Sequence, residues 1–280
     1  MPELPEVETV RRGLERWCLN STVSYIEVLH PRAVNARSSA PLDEFQGGTI
    51  QRVCRRGKFL WFNSKSRHAL VAHLGMSGQF RIQTSQTLDE KHLRARLELR
   101  SEDPTEKSFE LRFIDQRTFG WLALSPYIDE LPALVIKIAP DVFDPIFDRA
   151  AVVAKYRSRN LEIKKVLLDQ SLMSGVGNIY ADESLWRSKI NPQTLAHSLS
   201  LRKVELLLSS VGDVMSQALV EGGTSFDSLY TNVNGESGYF ENSLNVYGRE
   251  GERCSRCAGE IRRIIVGARS SHFCPRCQRI

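Results

Sequence analysis

The sequence predicts an α+β protein in which an N-terminal helix and an antiparallel β-sandwich precede a largely helical domain and a C-terminal zinc ribbon. Three observations support this prediction. Apolar residues recur at helical spacing near the N-terminus, alternating apolar and polar runs follow up to about residue 124, and paired cysteines lie near the C-terminus. A chain of 280 residues is long enough for two domains that each bury a core.

The first predicted element is a helix over residues 2–18. Val7, Val10 and Leu14 recur at the spacing of one helical face, and Trp17 continues the series. Pro5 suits the first turn, where a missing N–H costs nothing, and the acidic residues there suit the positive end of the helix dipole.

Residues 22–124 predict a β-sandwich because several short β-like runs follow one another. The alternation is clearest in LRARLELR, in which every second residue from Leu93 to Leu99 would face a core. We assign residues 1–130 to this first domain and residues 131–150, which contain three prolines, to a linker.

Helical patterns dominate residues 151–248, which form the predicted second domain. The longest predicted helix covers residues 201–220 and places its apolar residues on one face. Shorter helices are predicted over residues 152–156, 163–168 and 178–186. Residues 222–248 are rich in Gly, Ser and Asn, which predicts a long loop.

The strongest chemical signal lies in residues 249–280, where C-x2-C-x16-C-x2-C has the spacing of a four-thiolate zinc site. The thiolates belong to Cys254, Cys257, Cys274 and Cys277. They fill a tetrahedral zinc completely, so we expect one structural zinc ion rather than a catalytic one. We also expect no organic cofactor. Core thiols or disulfides are the alternative, but the segment has too few apolar residues to bury four cysteines. We interpret Cys18 and Cys54 as ordinary buried thiols.

The whole net charge of +5 lies in this C-terminal segment, which has eight arginines and three glutamates. Between the cysteine pairs, EIRRIIVGARSSHF predicts two strands joined at Gly267-Ala268, with Arg269 at or near the hairpin tip. Such a hairpin suits nucleic-acid phosphates, although the spacing alone is equally compatible with a solvated arginine.

Two other features give weaker signals. If Met1 is trimmed, Pro2 becomes a secondary amine that could act as a covalent nucleophile, or it could be only a helix-start residue. The turn SGVGN, which ends at Asn178, could hold a phosphate or be a tight turn between helices. It lacks the lysine of a P-loop, so nucleotide binding is disfavoured.

Membrane insertion and secretion are both disfavoured. No apolar run approaches the ~18 residues of a membrane span, and the first residues lack the regions of a signal peptide. We therefore expect no membrane partner and a reducing, cytoplasmic setting.

A set of motifs runs in order from residue 1 to the last cysteine pair: MPELPEVETVRRGL, RRGKFL, HLGMSG, DQRTFG, GVGNIYADESLW and VYGREGERC. Together they closely resemble the formamidopyrimidine-DNA glycosylases of bacteria. The resemblance implies a helix-two-turn-helix second domain and a monomeric base excision repair enzyme. Such an enzyme removes oxidised purines (8-oxoguanine, formamidopyrimidines) from damaged double-stranded DNA and cleaves the abasic site by β,δ-elimination. Its expected setting is the nucleoid of a bacterial or organellar compartment.

The resemblance also implies catalytic roles. Pro2 would attack C1′ of the damaged nucleotide, Glu3 would act as general acid or proton shuttle, and Glu6 would support the same pocket. Lys58 matches the lysine beside the lesion phosphate that takes part in proton transfer during β-elimination. Arg269 matches the finger arginine that grips the lesion phosphates and is associated with δ-elimination.

Further residues match positions that contact DNA. Asn178 matches the helix-start residue that holds the lesion phosphates. The gap left by the extruded base would be filled by Met76, Arg117 and Phe119. Phosphate contacts are expected from His73, His92 and Arg159. Near Arg159 the chain departs from the usual pattern, because Lys165 replaces a proline. Residues 222–239 match the lid over the everted base.

Two alternatives remain open at this point. An endonuclease VIII-like enzyme would use the same chemistry on oxidised pyrimidines, but Leu4 and the pair Arg117-x-Phe119 favour the purine-specific group. A zinc-ribbon DNA-binding protein without catalysis is disfavoured, because all the groups implied in catalysis are present.

Overall fold

The computed structural model describes residues 2–101, 108–223 and 240–280. These residues divide into two compact units. The first unit includes the chain up to Lys137 together with Gly222 and Gly223, and the second includes Ile138–Glu221 and Phe240–Ile280. Among the described residues, no helix is both long enough and apolar enough to cross a membrane.

The described residues of the first unit form one α-helix and nine strands. Helix α1 spans Leu4–Cys18. The strands are β1 (Ser21–Val28), β2 (Arg52–Arg56), β3 (Phe59–Asn63), β4 (His68–His73), β5 (Gly78–Gln83), β6 (Leu93–Ser101), β7 (Phe109–Asp115), β8 (Trp121–Ile128) and β9 (Leu131–Pro132). They form an antiparallel four-stranded sheet in the order β1-β6-β7-β5 and an antiparallel five-stranded sheet in the order β2-β3-β4-β8-β9.

One apolar core joins both sheets and the helix, as the predicted sandwich requires. Phe62 on β3 and Phe80 on β5 meet edge to face with ring centroids 6.0 Å apart. Alternate residues of β6 are buried from Leu93 to Leu99, so the predicted alternation is confirmed. Trp17 is an exception to the predicted helical face, because Cys18 takes the buried position in the last turn and Trp17 is 46% exposed.

One further expectation needs correction at an edge of the five-stranded sheet. Cys54 is only partly buried, because β2 is an edge strand. At the other edge, the first residues of the predicted linker form β9, in which Pro132 lies opposite Tyr127. Proline is tolerated on an edge strand because no further strand requires its missing N–H.

The second unit is helical, with a two-stranded hairpin near the C-terminus. Its helices are α2 (Arg149–Arg157), α3 (Ile163–Leu167), α4 (Asn178–Arg187) and α5 (Leu201–Val220), and the hairpin strands are β10 (Arg262–Val266) and β11 (Arg269–Phe273). The predicted bounds of α5 agree with the structure, and Ser200 caps it by accepting the N–H of Lys203. Helix α4 packs on both α5 and β11.

Candidate active site

The start of α1 contains the residues that the resemblance connects with catalysis. Glu3 is the N-cap in an extended conformation, and its N–H donates to Oε2 of Glu6 at 2.9 Å, as part of a capping box. Pro2, Glu3 and Glu6 are all buried. Pro2 directly precedes the positive end of the α1 dipole.

An ion-pair network holds this end of α1 on β2. Glu8 accepts hydrogen bonds from Nε of Arg11 and Nε of Arg55, both at 3.0 Å. Arg11 also donates to the carbonyl of Val53 at 3.0 Å. Burial alone would raise the pKa of Glu8, but the hydrogen bonds and charges of the two arginines lower it below its ordinary value. Sequence analysis assigned no role to Arg55, which lies 47 residues from Glu8 in the chain.

Lys58 lies in the tight turn between β2 and β3. Gly57, which precedes it, has a φ of +56°, a conformation that glycine adopts without strain. Nη1 of Arg55 donates to the carbonyl of Gly57 at 3.1 Å, so the network on α1 continues to this turn. The side chain of Lys58 is buried by its surroundings, with 9% of the residue exposed.

His73 lies on β4 opposite Phe59, the residue that follows Lys58. Its ring stacks on Trp121 with centroids 5.8 Å apart, and its Nδ1 accepts the N–H of Gly75 at 3.1 Å. Burial, and then the positive charge of Lys58, lower the pKa of His73 to about 4. The imidazole is therefore neutral at pH 7, and its Nε2–H remains a donor.

Two neighbouring loops contain the residues that are predicted to fill the gap left by an extruded base. Met76 and Phe119 are 38% and 56% exposed, which is unusual for large apolar side chains. The guanidinium carbon of Arg117 lies 5.5 Å from the ring centroid of Phe119. Between them, Thr118 has a φ of +54°, a strained conformation for a β-branched residue.

Buried Asp115 connects these two loops. Its Oδ1 accepts from Oγ of Ser77 at 2.5 Å and from the N–H of Arg117 at 3.1 Å, and its Oδ2 accepts the N–H of Gly120 at 2.7 Å. A Cβ on Gly75 would lie only 2.4 Å from the nitrogen of Gly120. The loops are therefore tightly packed and present their exposed side chains on a rigid support.

His92 lies beside the same loops. Its carbonyl accepts the N–H of Asp115 at 2.9 Å, and its imidazole is partly exposed. Nε of Arg94 donates to the carbonyl of Asp115 at 2.7 Å. Arg94 thus places a basic side chain beside these loops. Strand alternation predicts only that Arg94 faces solvent.

In the second unit, Asn178 begins α4 directly after the glycine-rich turn. Gln170 shapes this turn, since its Oε1 accepts the N–H of Gly175 and its Nε2 donates to the carbonyl of Val176, both at 2.9 Å. Gly175 has a φ of +92°, which requires glycine. Oδ1 of Asn178 is buried, and within the described residues it has no hydrogen-bond partner. The buried side-chain amide of Asn178 fits a phosphate at this helix N-terminus when it is turned so that Nδ2 donates.

Arg269 is the first residue of β11 and lies exposed at the hairpin turn, opposite Val266, as predicted. Arg159 is exposed in the connection after α2. Of the predicted lid, residues 224–239 lie outside the described residues. Gly223 has a φ of +84°, and a Cβ there would lie 3.1 Å from Oε1 of Glu6.

The four cysteines of the ribbon converge, with all sulfur atoms within 4.8 Å of one another. The Sγ–Sγ distance is 3.4 Å for Cys257 and Cys274 and 4.0 Å for Cys254 and Cys277. Tetrahedral zinc with Zn–S bonds of about 2.3 Å requires about 3.8 Å between sulfurs. The residues therefore fit the predicted structural zinc. Trp186, which sequence analysis did not single out, donates from Nε1 to Sγ of Cys254 at 3.4 Å.

Comparisons with known proteins agree on one family. Residues 1–122 match the formamidopyrimidine-DNA glycosylase N-terminal domain, residues 138–229 match the H2TH domain of the same glycosylase, and residues 251–280 match a zinc finger found in FPG and IleRS. The chain is 52% identical over 284 residues to the formamidopyrimidine-DNA glycosylase of Streptomyces coelicolor, which covers 100% of this chain and 98% of that protein.

Solved structures give the same result. A mutant Lactococcus lactis FPG in complex with DNA that contains Fapy-dG has a TM-score of 0.86 at 35% identity, with 100% of both chains covered. The L. lactis Fpg in complex with DNA that contains an abasic site has a TM-score of 0.86 at 36% identity, with 99% of this chain and 100% of that chain covered.

Proposed function

Because the chain belongs to the formamidopyrimidine-DNA glycosylase family, we propose that Pro2 is its nucleophile and that Glu3, Lys58 and Arg269 complete the catalytic apparatus. The protein is a DNA glycosylase of oxidised-purine repair with the DNA lyase activity of its family. The observation that carries the assignment of Pro2 is its burial beside Glu3 and Glu6 at the positive end of α1.

Base removal begins once Met1 has been cleaved off. The lone pair of the Pro2 amine attacks C1′, and the bond from C1′ to the base breaks with its electrons, while the base takes up a proton. The amine passes its own proton to Glu3, which donates it to the ring oxygen O4′ as the bond from C1′ to O4′ breaks and the sugar opens. The product is an iminium between the Pro2 nitrogen and C1′. Because the amine is secondary, this iminium is cationic at any pH.

Strand cleavage uses the iminium as an electron sink. Lys58 assists removal of a C2′ proton, and the bond from C3′ to its phosphate oxygen breaks, which is β-elimination. Loss of a C4′ proton then expels the phosphate at C5′, which is δ-elimination. Arg269 supports this step because its guanidinium stabilises the departing phosphate. Water finally hydrolyses the iminium and frees Pro2.

Residues from several parts of the chain are proposed to contact the DNA. In the proposed first domain, residues 1–130, the exposed side chains of Met76, Arg117 and Phe119 fill the space of the everted nucleotide, and Arg117 pairs with the orphaned cytosine. Phosphates are held by His73, His92, Arg159, Asn178 and Arg269. His73 contributes as a neutral donor, because its pKa is about 4.

The remaining parts of the chain have their own proposed roles. Residues 131–150 connect the first domain to residues 151–248 and the zinc finger at 249–280, and residues 222–239 cap the lesion.

We further propose that the protein acts as a monomer in the cytoplasm, on the nucleoid, since its curated relatives are bacterial enzymes. Gel filtration with lesion DNA tests the one-to-one complex.

Substrate class is tested with two matched duplexes, one with 8-oxoguanine opposite cytosine and one with thymine glycol. We expect faster single-turnover excision of 8-oxoguanine. Faster excision of thymine glycol would contradict the proposed purine preference and favour an endonuclease VIII-like activity.

A further inference from the structure

Asp182, on α4, is an enclosed carboxylate that none of the proposed chemical steps uses. Its Oδ1 accepts from Nζ of Lys164 at 2.6 Å and from Oγ of Ser271 at 2.9 Å. Its Oδ2 accepts the N–H of His272 at 2.7 Å and lies 3.4 Å from Nδ1 of the same residue. Asp182 is 1% exposed and Lys164 is fully buried, so solvent does not screen the pair.

The ion pair holds one short segment of the zinc-finger hairpin. Nζ of Lys164 also donates to the carbonyl of Ser270 at 2.7 Å. Asp182 and Lys164 therefore bind three consecutive residues of β11, namely Ser270, Ser271 and His272. The residue immediately before them is Arg269, which is exposed at the hairpin turn.

The same carboxylate relates this segment to Asn178, a second residue that is proposed to bind the lesion phosphates. Asp182 lies four residues after Asn178 on α4, so the two are separated by about 6 Å along the helix axis. A helix of this length is rigid. The main chain next to Arg269 is thus tied, through Asp182, to the helix that begins at Asn178.

We infer that Asp182 is a positioning residue that sets the place of Arg269 relative to Asn178, with Lys164 as its partner. The inference rests on the proposed function, in which both residues grip the lesion phosphates and Arg269 supports δ-elimination. Asp182 acts through the backbone of β11 and contacts no reacting atom.

Stability alone is a poor explanation for this arrangement. Well-packed apolar side chains of similar size stabilise a core as well as a buried ion pair does, or better. Apolar side chains could not, however, hold a carbonyl, a hydroxyl and an N–H of one strand in fixed positions. The orientation of β11 is therefore what the ion pair specifically provides.

Glu183 offers a matched control. It is also a buried carboxylate on α4, and it accepts the N–H groups of Asn245, Val246 and Tyr247 at 2.8 to 3.0 Å. Burial raises the pKa of Glu183, although these hydrogen bonds counteract the rise. Its loss perturbs the chain before the first cysteine pair and leaves the contacts of β11 intact.

The test compares wild-type protein with D182N, E183Q, R269A and the double variant K164M/D182L on an abasic-site duplex. Zinc content, melting temperature, borohydride trapping at the N-terminus and the ratio of δ- to β-elimination product are measured for each. We expect D182N and K164M/D182L to retain zinc and trapping while this ratio falls about tenfold or more towards that of R269A. Displacing a catalytic group by about 1 Å can cost up to 10²-fold in rate. We expect E183Q to keep the wild-type ratio.

Three results would overturn the inference. They are an unchanged product ratio in D182N, a wild-type ratio in K164M/D182L, and an equal fall of the ratio in E183Q, which would show a general loss of stability. A failure of the proposed function is seen separately, as absent trapping in wild-type protein or as an unchanged ratio in R269A.

Discussion

Oε2 of Glu6 accepts the N–H of Glu3 at 2.9 Å, inside the buried start of α1. This hydrogen bond fixes the backbone one residue after Pro2. Removing the acceptor would leave a buried N–H unsatisfied, which costs about 1–3 kcal/mol. The carboxylate of Glu6 thus has a structural role at the point where the proposed nucleophile enters the helix.

We therefore expect Glu6→Ala to lower the single-turnover excision rate and the free energy of unfolding. Glu6→Gln retains an acceptor oxygen and should lose much less of both. Quenched-flow excision and urea unfolding measure the two effects. If Glu6→Ala behaved like the wild-type protein in both assays, this hydrogen bond would have no part in placing Pro2.

Gly223 has a backbone conformation that a side chain makes costly. Its φ is +84°, and a Cβ would lie 3.1 Å from Oε1 of Glu6. We expect Gly223→Ala to destabilise the protein by about 1–3 kcal/mol and to lower the excision rate by displacing Glu6. Gly212 lies inside α5 with nothing within 4 Å of a Cβ, so Gly212→Ala should raise the melting temperature. Calorimetry should show a lower melting temperature for Gly223→Ala and a higher one for Gly212→Ala. A raised melting temperature in Gly223→Ala would refute the predicted strain.

The lowered pKa of His73 predicts acid sensitivity. Burial and the charge of Lys58 set this pKa at about 4, below the ordinary value of 6.5. The unfolded chain therefore binds the proton more readily, so the contribution of His73 to stability is complete above about pH 6.5 and is lost as the pH falls towards 4. The free energy of unfolding, measured with urea, should fall less between pH 7.5 and pH 5 for His73→Gln than for wild-type protein. Equal losses would mean that His73 titrates normally.

Zinc removal should affect the two units unequally. The four cysteines belong to a small apolar cluster with Trp186, which is separate from the sandwich core. We expect chelation to abolish most lesion binding while the far-UV β signal is retained. Because Nε1 of Trp186 donates to Sγ of Cys254, tryptophan emission should also change, and Trp186→Phe should remove that change. Lesion binding that survives complete chelation would contradict the proposed role of the finger.

Sequence patterns predicted helices and hairpins well where all the residues that define the element lie in one continuous segment. The bounds of α5 follow from helical periodicity and a capping serine, and the turn of the ribbon hairpin follows from Gly267 between two β-like runs. The cysteine spacing predicted a zinc site because hairpins place each pair on one metal. Trp17 was misplaced, since periodicity cannot tell which neighbouring residue finally enters the core.

The supporting residues of the site could not be predicted, because their partners are distant in the chain. Ser77 and Asp115 are 38 residues apart, and Asp182 and His272 are 90 residues apart. No periodicity or spacing relates such pairs before the strands are assembled. Exposed residues such as Met76 and Phe119, which are proposed to contact DNA, were suggested only by the family resemblance.

Trapping with borohydride tests the role of Pro2 most directly. Reduction converts an iminium between the Pro2 nitrogen and C1′ into a stable amine, which leaves the protein covalently attached to damaged DNA. After proteolysis, mass spectrometry locates the attachment site. We predict a one-to-one adduct at Pro2 in protein that has lost Met1. An adduct at Lys58 or another lysine, or no adduct from protein with a processed N-terminus, would contradict Pro2 as the nucleophile.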